Sequence, residues 1–314
     1  MRDDIGTSTP YPGPAARPSR RAWMGYVASL ALGGRLLPSL RAQTPLEWAP
    51  FIDHVQVNSD DVPRSAEFYQ RVLGLQLLRT GPPNAPSCCP DDSAFLGVGD
   101  RLVLAIRKRP GRNLDHYSLM LSGLDRRAFA AQLTERGGRL ATHDLPGDYV
   151  RDPDGILVQV MSAPAQGGAP TPAPTAAPTA AAPPSATDAM RFDWQPLIDH
   201  VQVSSQDVRQ ATAYYRDVLG LSLLRVGPPN DRNCCPDESA FFGVGTRLVL
   251  AIRKQSPGRT LDHYALLMRN FNRDAVAKEL AARGAVSKQS PETGFYVEDP
   301  DGIKVQIMGA PGPA

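Results

Sequence analysis

The sequence predicts an α+β protein made of two similar domains in tandem, each built from two βαβββ units. Three observations carry this prediction. First, the 314-residue chain repeats itself. Phe51-Ile-Asp-His-Val-Gln-Val57 returns as Leu197-Ile-Asp-His-Val-Gln-Val203, Gly81-Pro-Pro-Asn84 returns as Gly227-Pro-Pro-Asn230, and Arg101–Lys108 returns unchanged at Arg247–Lys254. Second, each copy is about 115 residues long, an ordinary size for a complete domain. Third, the stretch from Ser162 to about Met190 between the copies is mainly Ala, Pro, Thr and Gly with a single charge, Asp188. Such a segment buries too little surface to offset its ordering entropy, and proline keeps it extended. The expected boundaries are 46–162 for the first domain, 163–191 for the linker and 192–310 for the second domain.

Within the first copy, Ile52–Val57 reads as a strand. Val62–Leu73 places apolar and aromatic residues at helical spacing, and Gly74 supplies a natural C-terminal stop. Leu75–Arg79, Ser93–Val98 and Leu102–Ile106 read as three further strands. The pattern then repeats, with a strand at Leu114–Leu121, a helix over Asp125–Arg136 ended by Gly137-Gly138, and strands near Leu140, Tyr149 and Leu157. The mature chain therefore holds four βαβββ units.

Ahead of the first copy, Ser19-Arg20-Arg21-Ala22-Trp23-Met24 precedes a moderately apolar stretch that ends near Leu40-Arg41-Ala42. A basic region, a short apolar region and a small residue at the cut form an export signal over residues 1–42, and the paired arginines give it a twin-arginine character. The expected location is periplasmic or secreted. Lys plus Arg number 34 against 32 Asp plus Glu, so bulk charge excludes a strongly basic nucleic-acid binder. No apolar run is long enough to span a membrane.

Four of the five histidines occupy two equivalent strand positions in each copy: His54 and His116, then His200 and His263. Gln159 and Gln306 follow Asp152-Pro-Asp-Gly155 and Asp299-Pro-Asp-Gly302 on the last strands. Strict alternation puts His54 on a face with Ile52 and Gln56, His116 with Leu114 and Ser118, and Gln159 with Leu157 and Met161. Buried imidazoles need partners. Two imidazoles and an amide oxygen converging on a divalent cation meet that need, and so do ordinary core hydrogen bonds. The fifth histidine, His143, has Ser290 opposite it.

These units, the opening Ile-Asp-His-Val, the Phe68-Tyr69-x-x-Val72-Leu-Gly-Leu75 helix exit and the closing Asp-Pro-Asp-Gly resemble the vicinal oxygen chelate superfamily. Its members include glyoxalase I, fosfomycin-resistance transferases, bleomycin-resistance proteins and extradiol dioxygenases. The resemblance implies a cup-shaped half-barrel per domain around a divalent metal, with His from the first strand, His from the fifth and Glu from the eighth. Those positions fall on His54, His116 and Gln159, and on His200, His263 and Gln306. Gln stands where the family has Glu, so an amide oxygen ligates without neutralising charge and metal affinity falls. The fourth strand lacks the extra Glu of glyoxalase I, which favours dioxygenase-like chemistry. Tyr149 and Tyr296, three residues before Asp-Pro-Asp-Gly, match a tyrosine that lines the pocket of extradiol-like relatives, with plain packing as the other reading. Arg107, Lys108, Arg253 and Lys254 end the fourth strands, where they meet an anionic substrate or are solvated.

The cysteines form two adjacent pairs, Cys88-Cys89 and Cys234-Cys235. In an exported protein they pair vicinally, pair between domains, or form a thiolate metal site. The resemblance places their loop at the rim of the pocket. Two functions are then expected. One is an exported metal-dependent enzyme acting on a small molecule chelated through adjacent oxygens, with Fe, Mn, Zn or Ni undecided. The alternative is a metal-free, bleomycin-resistance-like binding protein. Oligomeric state is not legible.

Overall fold

The structure, a computed structural model, describes residues 51–82, 89–121, 124–143, 147–162, 196–227, 236–244, 247–255, 260–268, 271–289 and 294–309. The expected export signal and linker lie outside these residues, as do Cys88, Cys234 and Cys235. Cys89 is exposed and adopts a left-handed backbone at φ +48°.

The first domain runs β1 (Phe51–Ser59), α1 (Val62–Leu73), β2 (Gln76–Thr80), β3 (Ser93–Val98), β4 (Arg101–Lys108), β5 (Leu114–Leu121), α2 (Arg126–Glu135), β6 (Leu140–Ala141), β7 (Asp148–Arg151) and β8 (Leu157–Ser162). The second domain repeats this as β9 (Leu197–Ser205), α3 (Val208–Ala213), β10 (Ser222–Val226), β11 (Ser239–Val244), β12 (Arg247–Lys254), β13 (Thr260–Met268), α4 (Arg273–Ala282), β14 (Ser287–Gln289), β15 (Gly294–Glu298) and β16 (Lys304–Gly309). Each domain forms one eight-stranded sheet, ordered β2-β3-β4-β1-β5-β8-β7-β6 in the first and identically in the second. The two units of a domain therefore meet through their first strands, β1 antiparallel to β5.

Local chemistry explains the helices. The Asp61 carboxylate caps α1 by accepting from the Arg64 N–H at 3.1 Å, and Gly74 ends it at φ +70°, where a Cβ would be strained. Val62, Ala66, Tyr69, Val72 and Leu73 form its buried stripe. Asp125 caps α2 in the same way. The second copy departs from the first after α3, where Tyr214–Val218 form a π-helical turn closed by Leu219 N–H to Tyr214 O at 3.1 Å.

The helix-bearing faces of both sheets share one apolar cluster, in which Ile52, Val55, Val57 and Tyr69 join Val201, Val203, Tyr215 and Tyr264. Reciprocal hydrogen bonds hold the domains together. The Tyr69 hydroxyl on α1 donates to Asp299 Oδ2 at 2.7 Å, and the Tyr215 hydroxyl donates to Asp152 Oδ2 at 2.8 Å. Ser65 Oγ and Arg64 Nη2 reach Asp301 at 2.6 Å each. The two Asp-Pro-Asp-Gly turns thus receive the first helix of the opposite domain. Tyr117, also in the shared core, donates to the Tyr215 hydroxyl at 3.1 Å.

Candidate metal centre

The four paired histidines all follow an aspartate, and all four Asp-His dipeptides sit at β-bulges. Ile52 pairs with Leu119 and Val55 with Tyr117, so three steps of β1 span two of β5 around Asp53-His54. Gln56 pairs with His116 and Val57 with Leu114, which places Asp115 in a second bulge. In the second domain the same shifts fall at Asp199-His200 and at Asp262. A bulge sets two residues of one strand against one of its partner and re-aims their side chains.

Two consequences follow. The expected shared faces of His54 with Ile52, and of His116 with Leu114, are corrected: Ile52 and Leu114 turn into the helix-side core while the histidines face the cup. Strict alternation fails there because it assumes an unbroken ladder. In addition, adjacent Asp and His side chains, which a regular strand would send to opposite faces, come together. His54 Nδ1 lies 2.8 Å from Asp53 Oδ2 and His116 Nδ1 lies 2.7 Å from Asp115 Oδ2. In the second domain the distances are 2.8 Å for His200 with Asp199 and 2.6 Å for His263 with Asp262.

Burial pushes the Asp115 carboxyl up, but hydrogen bonds and charge from His116, Asn58 and Arg109 prevail and hold it at about 2. An ionised Asp115 accepts from His116, so the ring proton sits on Nδ1 and the Nε2 lone pair points away. His116 Nε2 is buried and has no hydrogen-bond partner among the described residues. Burial, with the neighbouring His54 and His143, lowers the His116 pKa and keeps the ring neutral. In the second domain Asp262 is likewise held at about 2, with His263 and Lys304 overcoming its burial.

The rings of His54 and His116 stand 5.8 Å apart at 75°, and those of His200 and His263 stand 5.8 Å apart at 74°. Gln159 is buried on β8, directly opposite Ser118 on β5 and Tyr149 on β7. Gly147 presses against it, since a Cβ there would stand 2.8 Å from Gln159 Nε2. Gln306 is buried at the matching place opposite Tyr296. Tyr149 meets His116 edge-on at 5.4 Å, and Tyr296 meets His263 at 5.3 Å.

Three participants were not legible from spacing. The preceding aspartates are one, although the repeated Asp-His dipeptide signals them in hindsight. His143 is the second. It stacks on Tyr149 at 4.3 Å, its Nε2 lies 3.7 Å from Asp115 Oδ2, and Asp115, His116 and His143 bring ligand-capable atoms within 4.8 Å of one another. Lys304 is the third. It stands opposite His263 where the first domain has Leu157 opposite His116, and its Nζ lies 3.2 Å from Asp262 Oδ1. A cavity of about 460 Å³ adjoins the first site, lined among others by Arg109, Asn113, Asp115, His143 and Leu157.

Tandem half-barrels, each with a carboxylate-held histidine pair on its concave face, define a class of small-molecule proteins built on paired βαβββ units. Residues 51–160 and 197–307 match the Glyoxalase/Bleomycin resistance protein/Dioxygenase superfamily, and the chain belongs to it. Among solved structures it is similar to the Mn(II)-bound glyoxalase from Novosphingobium aromaticivorans, with TM-score 0.60, 20% identity, and coverage of 82% of this chain and 81% of that one. It is also similar to the 2,3-dioxygenase LapB from Pseudomonas sp. KL28, with TM-score 0.58, 16% identity, and coverage of 84% and 94%. A third is homoprotocatechuate 2,3-dioxygenase from Arthrobacter globiformis, with TM-score 0.59, 15% identity, and coverage of 85% and 82%. At these identities the likeness is one of fold. No curated protein sequence matches the chain significantly.

Proposed function

We propose that the chain is a metal-dependent enzyme of this superfamily acting on a small molecule that presents two adjacent oxygens. His54, His116 and Gln159 would hold the cation in the first domain, and His200, His263 and Gln306 in the second. The observation that carries the reading is the carboxylate-held imidazole pair on each concave face, with ring centroids 5.8 Å apart. The donor set fits a divalent cation such as Fe, Mn, Zn or Ni: imidazoles with Nδ1 engaged by a carboxylate, a neutral His116 whose buried Nε2 has no partner among the described residues, and an amide oxygen side chain nearby.

A bound cation supplies Lewis acidity toward paired substrate oxygens. The chain does the rest. Asp53 and Asp115 fix ring orientation through Nδ1. Tyr149 packs against His116 and closes that wall of the pocket, and Tyr296 does so beside His263. The carboxylate-free fourth strand, Arg101–Lys108, favours dioxygenase-like over glyoxalase-like chemistry. We include in this proposal export by the twin-arginine-like segment at residues 1–42.

A second reading, non-catalytic small-molecule binding, is favoured for the second domain by one observation. The Lys304 ammonium stands beside His263 and disfavours another cation there. Metal analysis of purified and reconstituted protein tests both readings. Wild type is expected to retain metal, and His54→Ala with His116→Ala to lose more of it than His200→Ala with His263→Ala. A reconstituted wild type that holds no metal overturns the enzyme reading.

A further inference from the structure

The histidines occupy only half of the first cup, and its other wall carries two arginines. Arg79 on β2 pairs in register with Phe95 on β3, Phe95 with Ala105 on β4, Ala105 with Gln56 on β1, and Gln56 with His116 on β5. Directly opposed residues share a face, so Arg79 faces the same cup as His116. Arg107 lies one pair further along, between Ser93 and Asn58. The Asn58 amide reaches Asn113 and Asp115, both of which line the cavity beside the histidine site.

Arg79 is stacked on Phe95, with its Cζ 3.3 Å from the ring centroid. Its Nη1 is buried, and Arg79 makes no hydrogen bond or ion pair among the described residues. A guanidinium so placed has its donors directed sideways from the ring, where a planar or tetrahedral oxyanion takes two of them at once. Burial and the nearby Arg107 charge both lower the Arg79 pKa, so an anion bound at Arg79 relieves both effects. The second copy repeats the arrangement, with Arg225 and Arg253 lying 3.4 and 5.9 Å from the Phe241 centroid. Arg225 Nη1 there donates to Gly227 O at 3.0 Å.

We propose that Arg79, stacked on Phe95, forms with the neighbouring Arg107 an oxyanion subsite that binds a carboxylate or phosphate group of the ligand. This rests on, and deepens, the reading of the first cup as a small-molecule site, making its ligand an anion with a second, oxygen-chelating end. Four strand spacings of ~4.8 Å separate Arg79 from His116 along the curved sheet, and the cup shortens that path. The ligand therefore spans the cup, its charge on one wall and its paired oxygens on the other.

The test uses the full chain and two kinds of probe, with affinities measured by isothermal titration calorimetry. Benzoate and phenyl phosphate carry an oxyanion and no paired oxygens, so they read the arginines whether or not metal is present. Wild type is expected to bind at least one of them about ten-fold more tightly than Arg79→Gln does, and the tighter probe names the anion. Arg79→Lys, which keeps the charge and loses the fork, is expected to fall between the two, and superimposable circular dichroism spectra exclude misfolding. Equal affinity of wild type and Arg79→Gln for both probes overturns the subsite. Catechol and 3,4-dihydroxybenzoate, compared on metal-loaded protein, read the link to the histidines. The carboxylated probe is expected to bind more tightly, and its advantage to vanish in Arg79→Gln. Failure of catechol to bind, with benzoate or phenyl phosphate still bound, removes the metal-centred reading and leaves the subsite standing.

Discussion

Asp152 lies buried where the two domains meet, and its replacement by asparagine isolates one contribution to pH dependence. Its Oδ1 accepts from the backbone N–H groups of Asp154 and Ile156 at 2.9 and 2.8 Å, and its Oδ2 accepts from the Tyr215 hydroxyl. Burial lifts the carboxyl from 3.8 to about 6, with Asp154 adding to the rise, against these hydrogen bonds. The other groups facing it are the buried phenols Tyr117 and Tyr214, which stay neutral because burial raises their pKa values. A raised carboxyl pKa means that the folded state binds the proton more tightly than the unfolded one. The stabilisation is complete below the unfolded value and is lost as pH rises through about 6. A shift of a little over two units at about 1.4 kcal/mol each makes the loss roughly 3 kcal/mol, an upper figure. Asp152→Asn keeps an acceptor for both backbone N–H groups and cannot ionise. Urea unfolding at pH 4.5 and 7.5 is the assay. That range lies above the titration of Asp115 and Asp262, whose low values act only in more acid solution. Between these two pH values wild type is expected to lose about 2 kcal/mol relative to Asp152→Asn; His116 and His263, whose pKa values burial lowers, act with the opposite sign in both proteins and cancel in the comparison. Asp299, also raised by burial, adds a contribution of the same sign, which the double variant with Asp299→Asn removes. Equal pH dependence in wild type and Asp152→Asn would refute the reasoning.

Gln159→Glu restores a negative charge to the proposed donor set and is expected to raise divalent-metal affinity by ten-fold or more in a competitive chelator titration; unchanged affinity removes Gln159 from the ligands. Lys304→Leu, which copies Leu157 of the first domain, is expected to raise the metal content of the second domain, measured by inductively coupled plasma mass spectrometry in a His54→Ala, His116→Ala background. Gly147→Ala puts a Cβ 2.8 Å from Gln159 Nε2 in a backbone at φ +141°, so a loss of about 1–3 kcal/mol in urea unfolding is expected, together with weakened metal binding. Arg20→Lys with Arg21→Lys is expected to leave precursor in the cytoplasm, and normal processing in a cell-fractionation blot counts against the export signal.

Much of the fold was legible because the elements obey local rules. The apolar stripe of α1 and its Gly74 exit put the helix at Val62–Leu73, and β3 and β5 also fall within their expected bounds. The periodicity that located β1 and β5 nevertheless misassigned Ile52 and Leu114, because a bulge is a feature of strand pairing and leaves no mark on one strand's alternation. Long-range features were out of reach for the same kind of reason. Arg79 and Arg107 lie 28 residues apart in sequence and meet only because β2, β3 and β4 fold into adjacent strands. Lys304 was visible as a residue, but its place opposite His263 depends on the β13–β16 register.

The bulges also bear on how each site and the domain interface are connected. Each Asp-His bulge rotates the histidine into the cup, and the same displacement sets Ile52 beside Val55, and Leu114 beside Val57, in the helix-side core. That core continues into the opposite domain and includes Tyr69, Tyr117 and Tyr215, whose hydroxyls run to the two Asp-Pro-Asp-Gly turns or to one another. The turn at Asp152–Gly155 leads directly into β8, which carries Gln159. One face of the β1–β5 seam therefore orients the imidazoles, and its other face packs against the neighbouring domain. A substitution that removed a bulge would have to turn a histidine out of the cup or an apolar side chain out of the shared core. This coupling gives a structural reason for Asp and His to stand side by side at each of the four strand positions, whatever each cup binds.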